Sequence, residues 1–247
     1  MKEIIQAAHK TRHITKNLLN MTKVPSLTIR FNTPIRHSEL PLFRGAVIAA
    51  LPHDSVLFHN HLGDGLRYSY PLIQYKLLGG KAAIVCIGKG TESVWELFAG
   101  NHFDMRLGAR NVVATVMSID DTSTDITIDN NTPHKYRLRR WLPFNQDNYQ
   151  HYLATESLSA RIDQLNHILT GNILAMLKGI GIILKEQLQV DITSMAESKI
   201  IRYKDIKLLS LDATFTTSIV LPEYIGLGKH VSLGYGTVEE PKHENQQ

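Results

Sequence analysis

Apolar and polar residues alternate at two different periods along the chain, and the switches between them outline its elements. In "SLTIRF" (26–31), Leu27, Ile29 and Phe31 alternate with polar neighbours, the spacing of a half-buried strand. "SELPLFRGAVIAAL" (38–51) predicts a helix: Ser38 can cap it, Pro41 suits its first turn, and Leu, Ala and Ile fill it. "YSYPLIQYKLL" and "KAAIVCIG" read as two strands joined at Gly79 and Gly80, a hairpin signal. Thr91 and Glu92 open a short helix, "ESVWELFAG", which Gly100 ends. "RNVVATVMSI" (110–119) is a further strand. Strand, helix, strand, strand, helix, strand is the order of a ferredoxin-like split βαβ domain.

The polar run "DDTSTD" (120–125) reads as a break and sets the expected boundary between a domain over 25–120 and another over 121–247. Ahead of both, residues 1–24 carry weak helical spacing (Ile4, Ile5, Ala8, Ile14, Leu18, Leu19) and form an N-terminal extension closed by Pro25. "HKYRLRRWLPF" (134–144) predicts a strand. Residues 158–181 predict a long helix with Ile162, Leu165, Ile168, Leu169, Ile173, Leu174 and Leu177 on one stripe. Residues 199–221 are strand-rich, and a short last strand follows a glycine-rich stretch at 226–236. The expected fold is α+β: two tandem ferredoxin-like domains with a C-terminal glycine-rich loop.

Composition adjusts this picture only slightly. Of 247 residues, 43% are hydrophobic and 20% charged, as in an ordinary globular protein. A net charge of +4 permits an anionic partner without requiring one, and twelve His add positive charge in acid. Cys86 is the single cysteine, so no intrachain disulfide can form, and a reducing compartment is expected. Glu3 and the lack of a long apolar run argue against a signal peptide, and the most apolar segment (168–177) is too short to span a bilayer. A soluble cytoplasmic protein is expected.

The chemistry concentrates in two places. In "GLGKHVSLGYGTV" (226–238), glycines let the backbone turn tightly and present N–H groups to an anion, with Lys229, His230 and Ser232 as further donors. A tight hairpin that needs glycine and binds nothing fits the same residues. The Walker pattern is not met, because Gly90 stands where Ser or Thr should follow Lys89, and no strand-turn-helix context for a dinucleotide fold precedes Gly226. The second place is "PHDSVLFHNHLGDGLRYSYP", with His53, His59 and His61. These His could be structural, could chelate a metal with Asp54 or Asp64, or could transfer protons.

The glycine stretch resembles the C-terminal glycine-rich loop of the CRISPR repeat-processing endoribonucleases of the RAMP superfamily. Gly226, Gly228, Ser232, Gly234, Tyr235 and Gly236 carry the resemblance, which extends over roughly residues 25–238. It implies RNA cleavage without metal or cofactor: a ribose 2′-OH attacks the adjacent phosphate, leaving a 2′,3′-cyclic phosphate and a 5′-OH. The family's catalytic His tends to follow the first helix. On that basis His61 is the first candidate for base or acid, His59 the second, and Arg67 the phosphate clamp. A Tyr sometimes found within the first helix of relatives is missing from "RGAVIAAL".

The implied partner is CRISPR repeat RNA or crRNA, alongside other effector subunits, with no membrane; relatives occur as monomers and homodimers. RNA contacts are expected from Gly226, Gly228, Lys229, His230, Ser232, Gly234 and Gly236, and from Arg36 and Arg44 near the site, with Lys76 also close by. Strand residues Arg137 and Arg139, and the alternating Arg202 and Lys204, add to them. Aromatic residues are only 7%, so backbone contacts should outweigh base stacking. Two rival readings are a RAMP subunit that binds crRNA without cutting and a metal-dependent hydrolase using His59 and His61.

Overall fold

The computed structural model describes residues 22–51, 70–94 and 104–241. The first sheet contains β1 (Thr22–Pro34), β2 (Ile73–Leu78), β3 (Lys81–Ile87) and β6 (Val116–Ile126), in the antiparallel order β2-β3-β1-β6. A 3₁₀ turn (His37–Glu39) leads into α1 (Leu40–Ala49), which lies on one face of this sheet. A small hairpin of β4 (Asp104–Leu107) and β5 (Arg110–Val113) buries Met105 and Leu107 in the same core as Phe43 of α1.

The second sheet contains β7 (His134–Trp141), β8 (Val190–Met195), β10 (Ile206–Thr217) and β11 (Thr237–Glu239), in the order β11-β7-β10-β8. Numbered within its own half, each sheet runs second, third, first, fourth, so both halves have the ferredoxin-like order. β9 (Lys199–Tyr203) pairs only with the start of β10 and extends the sheet as a hairpin arm. Between β7 and β8 lie α2 (Gln146–Ala154) and α3 (Leu158–Gly179).

Elements form where the sequence pattern is strong. Ser157 caps α3 by accepting from the Ala160 N–H, and Leu165, Ile168, Leu169, Ile173, Met176 and Leu177 are buried, together worth roughly 10 kcal/mol by area. Leu174, expected on the buried stripe, is exposed, and Met176 takes a core position instead. The run 120–125, expected as a break, continues β6 in register with Thr28 down to Lys23 of β1. Its Asp, Thr and Ser sit on an edge strand, where polar side chains meet solvent and discourage pairing with another chain. β1 begins at Thr22, ahead of Pro25. Three elements were not expected at all: β4, α2, which buries no residue, and β8, a short edge strand; the single strand expected over 110–119 divides between β5 and β6. The helix expected at 92–100 falls largely outside the described residues; just ahead of it, Gly88–Thr91 form a 3₁₀ turn. Among the described residues no helix is long and apolar enough to cross a membrane.

β2 is buried on both faces. Ile73 and Tyr75 join the core under α1, whereas Gln74 and Lys76 point toward the second domain. On that opposite face Val24, Ile87 and Ile126 enter the core of the second domain beside Leu138, Trp141 and Ile225. The glycine segment is laid directly against β2. Tyr70 donates to the Gly226 carbonyl at 2.8 Å, and the Gln74 amide donates to the Tyr70 hydroxyl at 2.8 Å.

Gly236 shows why this segment needs glycine. Its φ is +61°, and a Cβ there would overlap the Leu227 carbonyl oxygen, which crosses it in the pairing that joins the segment's two ends. Gly236→Ala should cost about 2–4 kcal/mol through left-handed strain and displaced backbone, read as a lowered urea midpoint with unchanged slope.

Candidate nucleic-acid interface

The glycine segment's backbone is turned inward. The N–H groups of Leu227, Lys229, Leu233, Gly234, Gly236 and Val238 donate to the carbonyls of Gly236, Leu142, His230, Val231, Arg140 and Ile225. Those six donors are spent on closing the segment onto β7 and onto itself, and are not free to form the expected anion-binding nest. Gly226 is buried against Val231, Gly228 lies against the Trp141 indole, and Gly234 fits beside Leu40 of α1. Their place is the packing of the segment. The exposed chemistry belongs to Lys229 and to the half-buried His230 and Ser232.

His230 lies 4.3 Å, centroid to centroid, from Tyr203 at the end of β9, and Tyr235 packs edge-on 4.4 Å from His37 of the first domain. Burial, with help from Lys229 and Lys204, pushes the His230 pKa down. His37 is held lower still, to about 4, by burial and by the positive charges of Arg140 and Lys76, against a weak contact of Nε2 with the Gly234 carbonyl at 3.4 Å.

Arg137 and Arg139 project from the exposed face of β7, as expected. A bulge follows them. Arg140 takes φ +53°, its N–H donates to Asp212 at 2.6 Å, and two consecutive arginines thereby reach the surface. Arg202 also lies on a strand, but Lys204 does not: it occupies the two-residue turn between β9 and β10 with φ +46°. Arg202 faces Lys207 directly across that hairpin. Arg36 extends into solvent beside Glu39, with which it forms a 3.7 Å ion pair. Arg44 lies in α1 near Tyr75, on the core side of the first sheet, and does not join the cluster. His59, His61 and Arg67 lie outside the described residues.

A cavity of about 220 Å³ opens between the domains, lined by His37 and Leu77 from the first and by Arg139, Arg140, Lys199 and Thr237 among others from the second. His37, Arg140 and Lys199 had drawn no attention in the sequence. His37 precedes the first helix without a motif, and Arg140 is brought out by a bulge that leaves no periodic trace. Lys207 could have been found from the register implied by a turn at Lys204 and Asp205.

Two adjacent family models match the chain, the Cas6b N-terminal domain over residues 21–125 and the Cas6b C-terminal domain over residues 129–241. The chain belongs to the Cas6b family. That membership bears out the resemblance to CRISPR repeat-processing nucleases seen in the glycine segment. A protein of Methanocaldococcus jannaschii, Uncharacterized protein MJ0978, is 30% identical over 105 residues, 42% of this chain and 70% of that protein. A crystal structure of Cas6b superposes with a TM-score of 0.81 at 22% identity, covering 89% of this chain and 100% of that one. A crystal structure of CRISPR RNA processing endoribonuclease Cas6b gives 0.68 at 21% identity over the same shares. These structural likenesses establish the shared fold.

The imidazole of His37 should remain neutral through the physiological range and protonate only near pH 4, checked by its NMR titration. Because the unfolded chain takes up that proton near pH 6.5, His37 should draw stability down as pH falls from 6.5 toward 4, and His37→Gln should flatten that slope.

Proposed function

We propose that this chain is a metal-independent endoribonuclease that cuts CRISPR repeat RNA in precursor transcripts to give mature crRNA. The observation that carries the reading is the match of both halves to Cas6b, the first of which contains the histidine-rich stretch 52–67. One solved relative with the same fold is itself described as a CRISPR RNA processing endoribonuclease.

The reaction needs a base to take the 2′-OH proton, an acid to protonate the departing 5′ oxygen, and a cation beside the crowded phosphorane. His61 and His59 are the residues proposed for the first two roles and Arg67 for the third. Imidazole suits proton transfer because its ordinary pKa lies near working pH, and a guanidinium can hold two phosphate oxygens at once. Attack of the 2′ oxygen on phosphorus and loss of the 5′ oxygen would leave a 2′,3′-cyclic phosphate and a 5′-OH.

The basic surface of the second domain supports RNA as the ligand. Arg202 and Lys207 stand directly opposite on β9 and β10, a like-charge pair that weakens a hairpin unless an anion lies over it. Lys204 at the tip and Lys229, both of which act on His230, extend the same sign of charge. Phosphates passing across this surface would release bound counterions, and affinity would fall steeply with salt.

Incubated with its cognate repeat in EDTA, the protein should yield a cyclic-phosphate product. His61→Ala should slow cleavage by about 10²–10⁴-fold and His59→Ala by a comparable or smaller factor, with RNA affinity retained. Tight binding without product would instead identify a scaffold subunit, and loss of cleavage in EDTA a metal enzyme. Reversing Arg202 and Lys207 to Glu should weaken repeat binding and shallow the salt dependence by about one unit or more of slope.

A further inference from the structure

Lys76 is the most anomalous side chain among the described residues. It is completely buried, and among the described residues no carboxylate pairs with it and its ammonium makes a single hydrogen bond, 3.4 Å from the Thr237 hydroxyl. An unpaired buried ammonium costs several kcal/mol, whereas Met would fill the same space without that penalty. Packing therefore does not explain the lysine, and its place in the molecule suggests what does. Thr237 lines the cavity between the domains and donates to the Gly234 carbonyl at 3.2 Å, the same carbonyl that His37 approaches. The Lys76 charge thus lies one hydroxyl behind the cavity floor.

The charges around that cavity sharpen the point. Arg139, Arg140 and Lys199 are balanced by Glu197, Asp212 and Glu239. Asp212 is already engaged by Arg139 and by the Arg140 N–H, while the Arg140 and Lys199 side chains form no ion pair among the described residues. The charge left over is that of Lys76. At about 220 Å³ the cavity is larger than a phosphate group and smaller than the usual drug-sized pocket.

We propose that the inter-domain cavity is a subsite for one phosphodiester of the bound RNA, walled by Arg140 and Lys199, floored by the Thr237 hydroxyl, and held by the Lys76 ammonium behind it. The proposal rests on the RNA reading above and adds the place where one backbone phosphate is gripped. Burial alone brings the Lys76 pKa down to about 7 in the free protein. An arriving phosphate favours the charged form, so binding draws in a proton. Above pH 7 that proton must be taken from ever more dilute supply, and the Lys76 contribution to affinity fades. The groups that face this site are His37 from the 3₁₀ turn, Arg139 and Arg140 from β7, Glu197 and Lys199 at β9, Asp212 from β10 and Glu239 from β11. His37, neutral down to about pH 4, adds no titration of its own above pH 6.

The test compares wild type with Lys76→Met, measuring melting temperature and affinity for the cognate repeat synthesised with 2′-O-methyl riboses, which keeps the phosphates and cannot cyclise. Unmodified repeat serves as the control. Lys76→Met should melt at the same or a higher temperature, yet bind about tenfold more weakly at pH 6.5, the loss shrinking to about threefold or less at pH 8.5. Equal affinities would overturn the subsite and leave the nuclease reading standing. A melting temperature that falls together with affinity would make Lys76 a structural tie and also overturn it. Failure of wild type to bind either repeat would overturn the nuclease reading as well. If Lys76→Met does not fold, Arg140→Gln and Thr237→Val decide: weakened binding by both supports the subsite, and unchanged binding by both overturns it.

Discussion

The structure depends on the contact between the polar face of the first sheet and the glycine segment of the second domain. A sheet face of Ser26, Thr28, Gln74 and Lys76 would normally meet water. Here all four are buried. The Gln74 Oε1 and Ser26 Oγ atoms make no hydrogen bond among the described residues, a loss of about 1–3 kcal/mol each. What offsets it is the apolar part of the same face: Val24, Ile87 and Ile126 run into the second core. Tyr70 and Gln74 then tie the Gly226 carbonyl in place. This one contact sets the width of the cleft, the position of His37 over Tyr235, and the depth at which Lys76 lies.

The strand order of the first half was legible in the sequence because strands buried on at least one face carry period-two patterns, as Leu27, Ile29 and Phe31 do. Elements that bury little left no such trace. α2, "QDNYQHYLA", exposes or half-exposes every residue, and β8 sits at a sheet edge. The acidic, hydroxyl-rich end of β6 looked like a break for the same reason: polarity on an edge strand reports solvent, not the end of pairing.

The candidate site was legible as composition but not as geometry. The glycines marked a special backbone, yet their role in the fold is to let two stretches of chain cross at Leu227 and Gly236, with the donors turned inward. Such a preference can be seen in a sequence only as freedom, because what the freedom is used for depends on what packs there. The bulge at Arg140 and the approach of His37 to Gly234 are tertiary events with no local signature.

The sharing of hydrophobic residues across the junction has a further consequence. Val24, Ile87 and Ile126 belong by chain order to the first half and by packing to the second. Cut apart, the amino-terminal half would expose those side chains and the carboxy-terminal half would lose part of its interior. The two repeats of the fold are therefore one cooperative body. Any motion that admits a long polymer must come from loops and side chains at the cleft's rim, since spreading the halves would mean dismantling a core.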